Sequence, residues 1–289
     1  MGAALGSSFG QSDAVRRERY ALLIAERLQA GKEQLCAEFR QPGRIQSCFV
    51  DDLLPSAMAR QIFEAFPQPS EMMERKSLRE HKFVAAQMDC YNPVLEEIVF
   101  GFQDPRVVKL AEEITGFNRL LPDEHLYAGG ISLMGPGHFL NPHLDNSHDK
   151  DRSLYRVLNL LYYVTPDWGH EAGGNLELWD RGPEGEPREI VSKFNRLVLM
   201  ATHTKSWHSV TKVDNTAAAR CCVSNYYFAS APLEEHEYFH VTTFRGRPEE
   251  PVRNLVLRCD AALRMGVRRM FTKGVTKPKH LYAKDEEQR

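Results

Sequence analysis

The sequence predicts a mainly β protein with flanking helices, its centre a jelly roll, and three observations predict that class. Short apolar or alternating runs at Val157 to Val164, Asn175 to Trp179 and Leu197 to Ala201 read as strands. Turn signals rich in glycine and proline separate them: Thr165-Pro166-Asp167-Trp168-Gly169, Gly173-Gly174 and Arg181-Gly182-Pro183-Glu184-Gly185. Segments of helical periodicity lie on either side. Many short strands joined by such turns point to a sandwich or barrel. A double-sheet jelly roll is the form that brings distant strands to one mouth.

The flanks follow in chain order. Residues 1–12 are expected to be a flexible N-terminus, and 13–125 a helical flank with strands leading into the core. Apolar residues recur at helical spacing from Asp13 to about Leu28 after the N-cap candidate Ser12. The string Phe49 to Ser56 reads as a strand entering a helix that runs through Phe66, and a further helix, Pro105 to Thr115, stops at Gly116. Residues 126–232 form the jelly-roll core, and 233–289 a C-terminal helical extension. In that extension Glu249 to Phe271 is a basic amphipathic helix, preferred as a docking helix with a solvated face over a site for an acidic partner. The tail Lys284 to Arg289 is expected to be disordered.

Composition bounds the function. A chain of 289 residues, 42% hydrophobic and 26% charged, can bury a substantial core, and one catalytic domain with helical additions is favoured over two equal domains. A formal net charge of −2 gives no general pull toward nucleic acid or membrane, and no stretch approaches a membrane span. Neither a signal peptide nor the myristoylation pattern is present at the N-terminus, where Gly6 stands in the Ser/Thr position. The six cysteines show no C-x-x-C spacing, and adjacent Cys221 and Cys222 on one strand face opposite sides. Reduced thiols imply a reducing compartment, and a cytoplasmic protein is expected.

The chemistry is carried by His143-Leu144-Asp145-Asn146, then Trp207-His208-Ser209-Val210, then Arg220. On a strand, residues two apart share a face, so His143 and Asp145 can reach one metal while Leu144 points away. His208 follows Asp145 by 63 positions and must arrive on a strand that folds back beside the first. Two imidazoles and one carboxylate can hold Fe(II) with three coordination positions open. Taken alone, an H-x-D is more often a surface strand. His148 is a rival ligand in a polar loop, assigned instead to a substrate-lip or solvent role. His203 is a rival distal ligand without the Trp-His-x-Val context.

From Gly137 to Phe228 the chain resembles the 2-oxoglutarate/Fe(II)-dependent dioxygenase superfamily, in particular its prolyl-4-hydroxylase-like branch. The matching elements occur in order: Gly137 and Phe139 leading to His143 and Asp145; Arg156, Asn159, Tyr162 and Tyr163; Gly173-Gly174 with Leu176; His208 with Val210; and Arg220 through Tyr226-Tyr227. The resemblance implies a double-stranded β-helix core and hydroxylation of an unactivated C–H bond, with succinate and carbon dioxide released. It implies Fe(II), 2-oxoglutarate and O2, with ascorbate as a reductant. His143, Asp145 and His208 are the implied metal ligands. Arg220 is the implied partner of the co-substrate's distal carboxylate, with Tyr163 donating to it and Asn159 nearby. A guanidinium suits that role because its planar fork matches a carboxylate and stays charged.

Three positions depart from the family pattern. Met134 stands where a tyrosine is common, Asn159 where threonine is usual, and His208 to Arg220 spans 12 positions, about two more than the commonest form. Asp214-Asn215-Thr216-Ala217 reads as a hairpin turn that absorbs the extra residues. Asp145 leaves no vacancy for a halide, which favours hydroxylation over halogenation. His138, Asn146, His148 and Trp168 are the candidate substrate contacts, with Asn141, Arg152, Tyr155, His170 and Trp179 flanking them. Their polar and aromatic character suits a small molecule or amino-acid-derived substrate. A protein or peptidyl prolyl hydroxylase is the alternative among enzymes. From other classes come a non-catalytic metal-binding jelly roll, in which Arg220 has no role, and a sensor that binds 2-oxoglutarate without turnover. The oligomeric state is not encoded in any of these features.

Overall fold

The computed structural model describes residues 6–270 and Tyr282, with side chains from Val15 onward except Arg269. The chain opens with α1 (Gly6–Phe39), then β1 (Ser47–Val50) and α2 (Ser56–Glu64). A hairpin, β2 (Met73–Lys76) with β3 (Glu80–Ala85), precedes α3 (Pro93–Gly101) and α4 (Pro105–Thr115). Helix α1 begins at Gly6, inside the stretch expected to be flexible, and runs past the expected end at Leu28 to Phe39. No proline interrupts this segment, and an established helix propagates at little cost. Expected features at Phe271 and in the tail from Lys284 lie outside the described residues.

Local signals set the short helices. Asn92 and Asp104 accept hydrogen bonds from Val94 N and Arg106 N, prolines follow at the first helical position, and Gly116 ends α4 in the left-handed region at φ 79°. Tyr20, Ile24, Leu28 and Phe39 of α1 are buried against α3, α4 and the sheet. Each fully buried large apolar side chain contributes about 1.5–3 kcal/mol relative to exposure, so this layer braces the sheet from outside.

The remaining strands are β4 (Leu121–Pro122), β5 (Gly130–Met134), β6 (Phe139–Leu144), β7 (Tyr155–Tyr163), β8 (Leu176–Leu178) and β9 (Arg188–Ile190). They continue with β10 (Arg196–Ala201), β11 (His208–Val210), β12 (Arg220–Ala229) and β13 (Thr243–Phe244), and α5 (Pro251–Met270) closes the described fold. The pairing order β1-β10-β7-β12-β5-β3-β6-β11-β8-β9 is antiparallel throughout, and β3 joins the two halves. The sheet curls on itself with helices outside, the double-stranded β-helix expected from the sequence. Gly130 permits the join: at φ 118°, an added Cβ would lie 2.2 Å from the Ala85 carbonyl oxygen.

Alternation along the central strands separates scaffold from interior. Leu158, Leu160 and Tyr162 of β7, with Cys221, Val223 and Tyr227 of β12, join the core beneath the helices. Their neighbours Tyr163 and Cys222 belong to a separate inner cluster with Leu176, Leu178 and Met200. Cys221 and Cys222 thus face opposite sides, as their adjacency on a strand requires. The segment Asp214 to Ala217 is not a hairpin turn. Strand β11 pairs with β6 and β8, whereas β12 pairs with β4, β5 and β7, so this loop crosses between the two halves, pinned by Asn215 Oδ1 accepting from Ala217 N at 2.8 Å.

Candidate active site

His143 on β6 and His208 on β11 are cross-strand partners in register, and Asp145 lies just beyond the end of β6. Their ligand atoms lie within 4.8 Å of one another, the one such cluster of three found among the described residues. His143 Nε2 is 3.7 Å from Asp145 Oδ1, and His208 Nε2 is 3.7 Å from Asp145 Oδ2. Each imidazole is oriented by a carbonyl two residues back in its own chain segment: Nδ1 of His143 lies 3.0 Å from the Asn141 carbonyl oxygen, and Nδ1 of His208 lies 2.9 Å from that of Ser206. With Nδ1–H donating to those carbonyls, both Nε2 lone pairs face the carboxylate, the tautomer a metal requires. Phe244 of β13 stacks on His143 at 5.0 Å and shields it.

The electrostatics favour a deprotonated site. Burial first, and then the neighbouring His208, lower the His143 pKa to about 3 against the opposing pull of Asp145. Burial alone would raise the Asp145 pKa, but Arg156, His208, His143 and Asn159 outweigh it and hold the carboxyl below its ordinary range. Arg156 Nη1 lies 3.4 Å from Asp145 Oδ2, and Asn159 Nδ2 donates to that oxygen at 2.8 Å. Arg156 also lies 4.6 Å from the Tyr226 ring centroid, so its position is fixed on two sides. The family motif contains Arg156, but its contact with the ligand carboxylate depends on strand twist, which spacing alone did not give.

A second polar group lies on the neighbouring strands. Arg220 is buried, with Nη1 3.5 Å from the Gly174 carbonyl oxygen and Nη2 3.4 Å from Ser132 Oγ. These long contacts leave most of its fork uncommitted, and its Nε has no hydrogen-bond partner. The Tyr163 ring centroid is 5.4 Å from that guanidinium, and its buried hydroxyl makes no hydrogen bond, while Ser192 Oγ beside it donates to Gly174. Burial keeps the phenol protonated by raising its pKa, with Cys222 adding and Arg220 opposing. An unpaired buried donor costs about 1–3 kcal/mol, and a carboxylate is the group that would satisfy a guanidinium and a phenol together. The donor set therefore fits both a divalent metal and a carboxylate-bearing co-substrate. Asn159, expected beside the co-substrate, makes its hydrogen bond to Asp145 and leaves its own Oδ1 unpartnered.

A cavity of about 820 Å³ opens in front of His143 and Asp145. Of the four candidate substrate contacts, Asn146 and His148 line it. His138 stacks on His81 at 3.7 Å, outside the cavity lining, and the indole nitrogen of Trp168 donates to the Gly173 carbonyl at 2.9 Å within a buried cluster. Among the flanking residues, Trp179 is buried and donates to Ser209, and His170 pairs with Glu189 at the surface. Met134 packs in the same cluster as Trp168 and pairs with Arg220 across the strands. The rival His203 belongs to a turn in which its Nδ1 accepts from Lys205 N. Sequence reasoning missed Phe239, His240 and Phe244, all on the cavity wall. The aromatic run Tyr238-Phe239-His240 just past the core was the available signal. Both ring nitrogens of His240 are buried and unpartnered.

Comparison with known proteins agrees with this geometry. Residues 129–228 match the 2OG-Fe(II) oxygenase superfamily. The chain is similar to the mouse (Mus musculus) prolyl 3-hydroxylase OGFOD1, 28% identical over 96 residues, which are 32% of this chain and 17% of that protein. The Xenopus laevis protein of the same name is 30% identical over 84 residues, 28% of this chain and 16% of the relative. The chain thus aligns with less than a fifth of the length of these relatives. Among solved structures, a Pseudomonas putida prolyl-4-hydroxylase superposes with TM-score 0.50 at 16% identity, covering 68% of this chain and 98% of that one. A Phytophthora capsici prolyl 4-hydroxylase gives TM-score 0.52 at 16% identity, covering 88% and 79%. At that identity the two structures establish the fold.

Proposed function

We propose that this chain, whose residues 129–228 match the 2-oxoglutarate/Fe(II) oxygenase superfamily, hydroxylates an unactivated C–H bond, consuming 2-oxoglutarate and O2 and releasing succinate and carbon dioxide. The observation that carries this reading is the three-residue cluster His143, Asp145 and His208, with the uncommitted buried donors of Arg220 and Tyr163 in the same interior. His143, Asp145 and His208 would hold Fe(II), which when bound supplies oxygen activation coupled to co-substrate decarboxylation. Arg220 and Tyr163 would anchor the distal carboxylate. Asn159 and Arg156 keep the Asp145 carboxylate ionised and turned toward the histidines. Phe244 and the inner apolar cluster exclude water from the ligand side.

For the substrate, a cavity of about 820 Å³ supports a small molecule or an amino-acid-derived compound, being within the usual range of small-molecule sites. A peptidyl prolyl substrate is the second reading, favoured by the similarity to prolyl 3-hydroxylases. Six free cysteines support a reducing, cytoplasmic setting, and ascorbate as reductant is proposed on the family resemblance alone. Among the described residues no helix is long and apolar enough to cross a membrane.

The test is an anaerobic titration of the metal-free protein with Fe(II) and then 2-oxoglutarate, following the visible charge-transfer band of the chelate. The expected band is lost in His143→Ala and needs more co-substrate in Arg220→Ala. No band in the wild type would favour a non-catalytic jelly roll. Mass spectrometry of small-molecule and peptide pools for the gain of one oxygen then separates the two substrate classes.

A further inference from the structure

The basic helix α5 does not simply dock. Leu257 and Ala261 are buried, while Leu263, Arg264, Val267 and Arg268, one to two turns further on, form a wall of the cavity in front of the metal ligands. The β2–β3 hairpin adds Arg75, Arg79 and Lys82 to the same lining, and Arg79 ion-pairs with Asp260 of α5. The cavity walls carry seven Lys or Arg side chains against four carboxylates, in a chain whose formal net charge is −2.

The pairing within this cluster leaves positive charge over. Arg79 and Arg264 share the single carboxylate of Asp260. Lys82 pairs with Glu80 at 3.0 Å, and Arg156 is engaged with Asp145. Arg264 Nη2 is buried without a hydrogen-bond partner, although the same guanidinium is held by Asp260 through Nε at 3.0 Å. Arg268 lies one turn further along α5, and its backbone carbonyl accepts from Arg152 Nη2 at 2.7 Å, which ties this part of the helix to the loop after β6. The guanidinium of Arg152 lies 3.9 Å from the Phe239 ring centroid on the cavity wall. A held guanidinium with a free, desolvated N–H in a cation-rich cleft is built to receive an oxyanion.

We propose that α5 is a substrate-recognition wall, and that the substrate of this site bears an anionic group, a carboxylate or a phosphate, which Arg264 and Arg268 receive beside the Asp260-paired Arg79. This assignment rests on the reading of the site as a hydroxylase and narrows its substrate class. The guanidiniums anchor the charged end, and the reacting C–H lies toward His143, Asp145 and His208.

The test uses the full chain loaded with Mn(II) and N-oxalylglycine, so that Arg220 is already engaged by a co-substrate analogue. Inorganic phosphate and acetate are titrated separately, following paramagnetic broadening of their 31P and 13C signals. Saturable broadening is expected for at least one anion, and Arg264→Gln and Arg268→Gln should each weaken it about tenfold, the usual worth of one charge-assisted contact. The stronger responder identifies the anion class. Thermal melts establish that each variant is folded, and Arg268→Gln, at a guanidinium outside the Asp260 network, serves if Arg264→Gln is not. Failure of Mn(II) to bind would count against the hydroxylase reading, and calorimetric titration of the metal-free protein with the same anions would then decide the anion site by itself. Unsaturable broadening, or equal affinity in wild type and both variants, would overturn the proposal.

Discussion

Asn159 Nδ2 donates to Asp145 Oδ2 at 2.8 Å, tying the middle of β7 to the residue that follows β6. The carboxylate is thereby held by a neutral donor on one strand, and Arg156 adds charge from the same strand at 3.4 Å. Partners of this kind typically change metal affinity by 10–100-fold. Asn159→Leu is therefore expected to weaken Mn(II) binding by about tenfold or more, measured by calorimetry without co-substrate. Unchanged affinity would mean that Arg156 alone orients the ligand.

The ligand assignment predicts a clean division among variants. His143→Ala, Asp145→Ala and His208→Ala should each abolish metal binding and turnover. Arg220→Ala should retain metal but raise the 2-oxoglutarate requirement by about a hundredfold, as expected for loss of a buried guanidinium–carboxylate contact. Full activity in His208→Ala, with His203→Ala inactive, is the result that would reassign the distal ligand.

The paired glycines should separate stability from co-substrate binding. An added Cβ at Gly173, with φ 67°, would lie 2.0 Å from the Lys212 carbonyl oxygen, a backbone clash. At Gly174, with φ 66°, it would sit 3.1 Å from Val213 Cγ2 and 3.3 Å from Arg220 Cδ, both side-chain atoms. Gly173→Ala is expected to cost about 2–4 kcal/mol of stability, seen as a large drop in Tm. Gly174→Ala should instead displace Arg220 and weaken 2-oxoglutarate binding more than it lowers Tm. Identical effects of the two substitutions would contradict this division.

The metal-free protein should be acid-sensitive. His143 has its pKa lowered to about 3, by burial first and then by His208, whereas in the unfolded chain it titrates near 6.5. Between those values the unfolded state binds more protons, so stability falls as pH falls, with about 2 kcal/mol lost at pH 5 from this residue alone. Asp145 acts in the same direction: its lowered pKa gives stability above the unfolded value that is lost as pH drops through the folded one. Burial likewise lowers the His203 and His240 pKa values. Scanning calorimetry in chelator from pH 7 to 5 should show a falling Tm, with a shallower fall in His143→Asn. A flat wild-type profile would refute the account.

Much of this site could be read from side-chain alternation. His143 and Asp145 share a face because they are two apart, and Arg220 and Cys222 share the interior face of β12 for the same reason. The helix ending at Gly116 was legible because proline and glycine punctuate it. Contacts made by chain that returns from outside the core were not legible. Phe244 reaches His143 only because β13 adds itself beside β6, a pairing two residues long that no periodicity announces. Arg264 could be seen as one of several arginines on an amphipathic helix, but the helix's docking angle decides which of them face the cavity. Trp168 illustrates the converse: an aromatic side chain beside a motif is satisfied by Gly173 and packs inward.

The register between His143 and His208 makes the sheet itself the ruler for the two imidazoles. Their spacing depends on one rung of a ladder and is independent of the length of chain that separates them. The turn at 181–187, between β8 and β9, can therefore lengthen or exchange its sequence while the ligand geometry stays fixed. None of its residues lines the cavity, so a change of length there would leave both imidazoles on their rung and the cavity wall as it is.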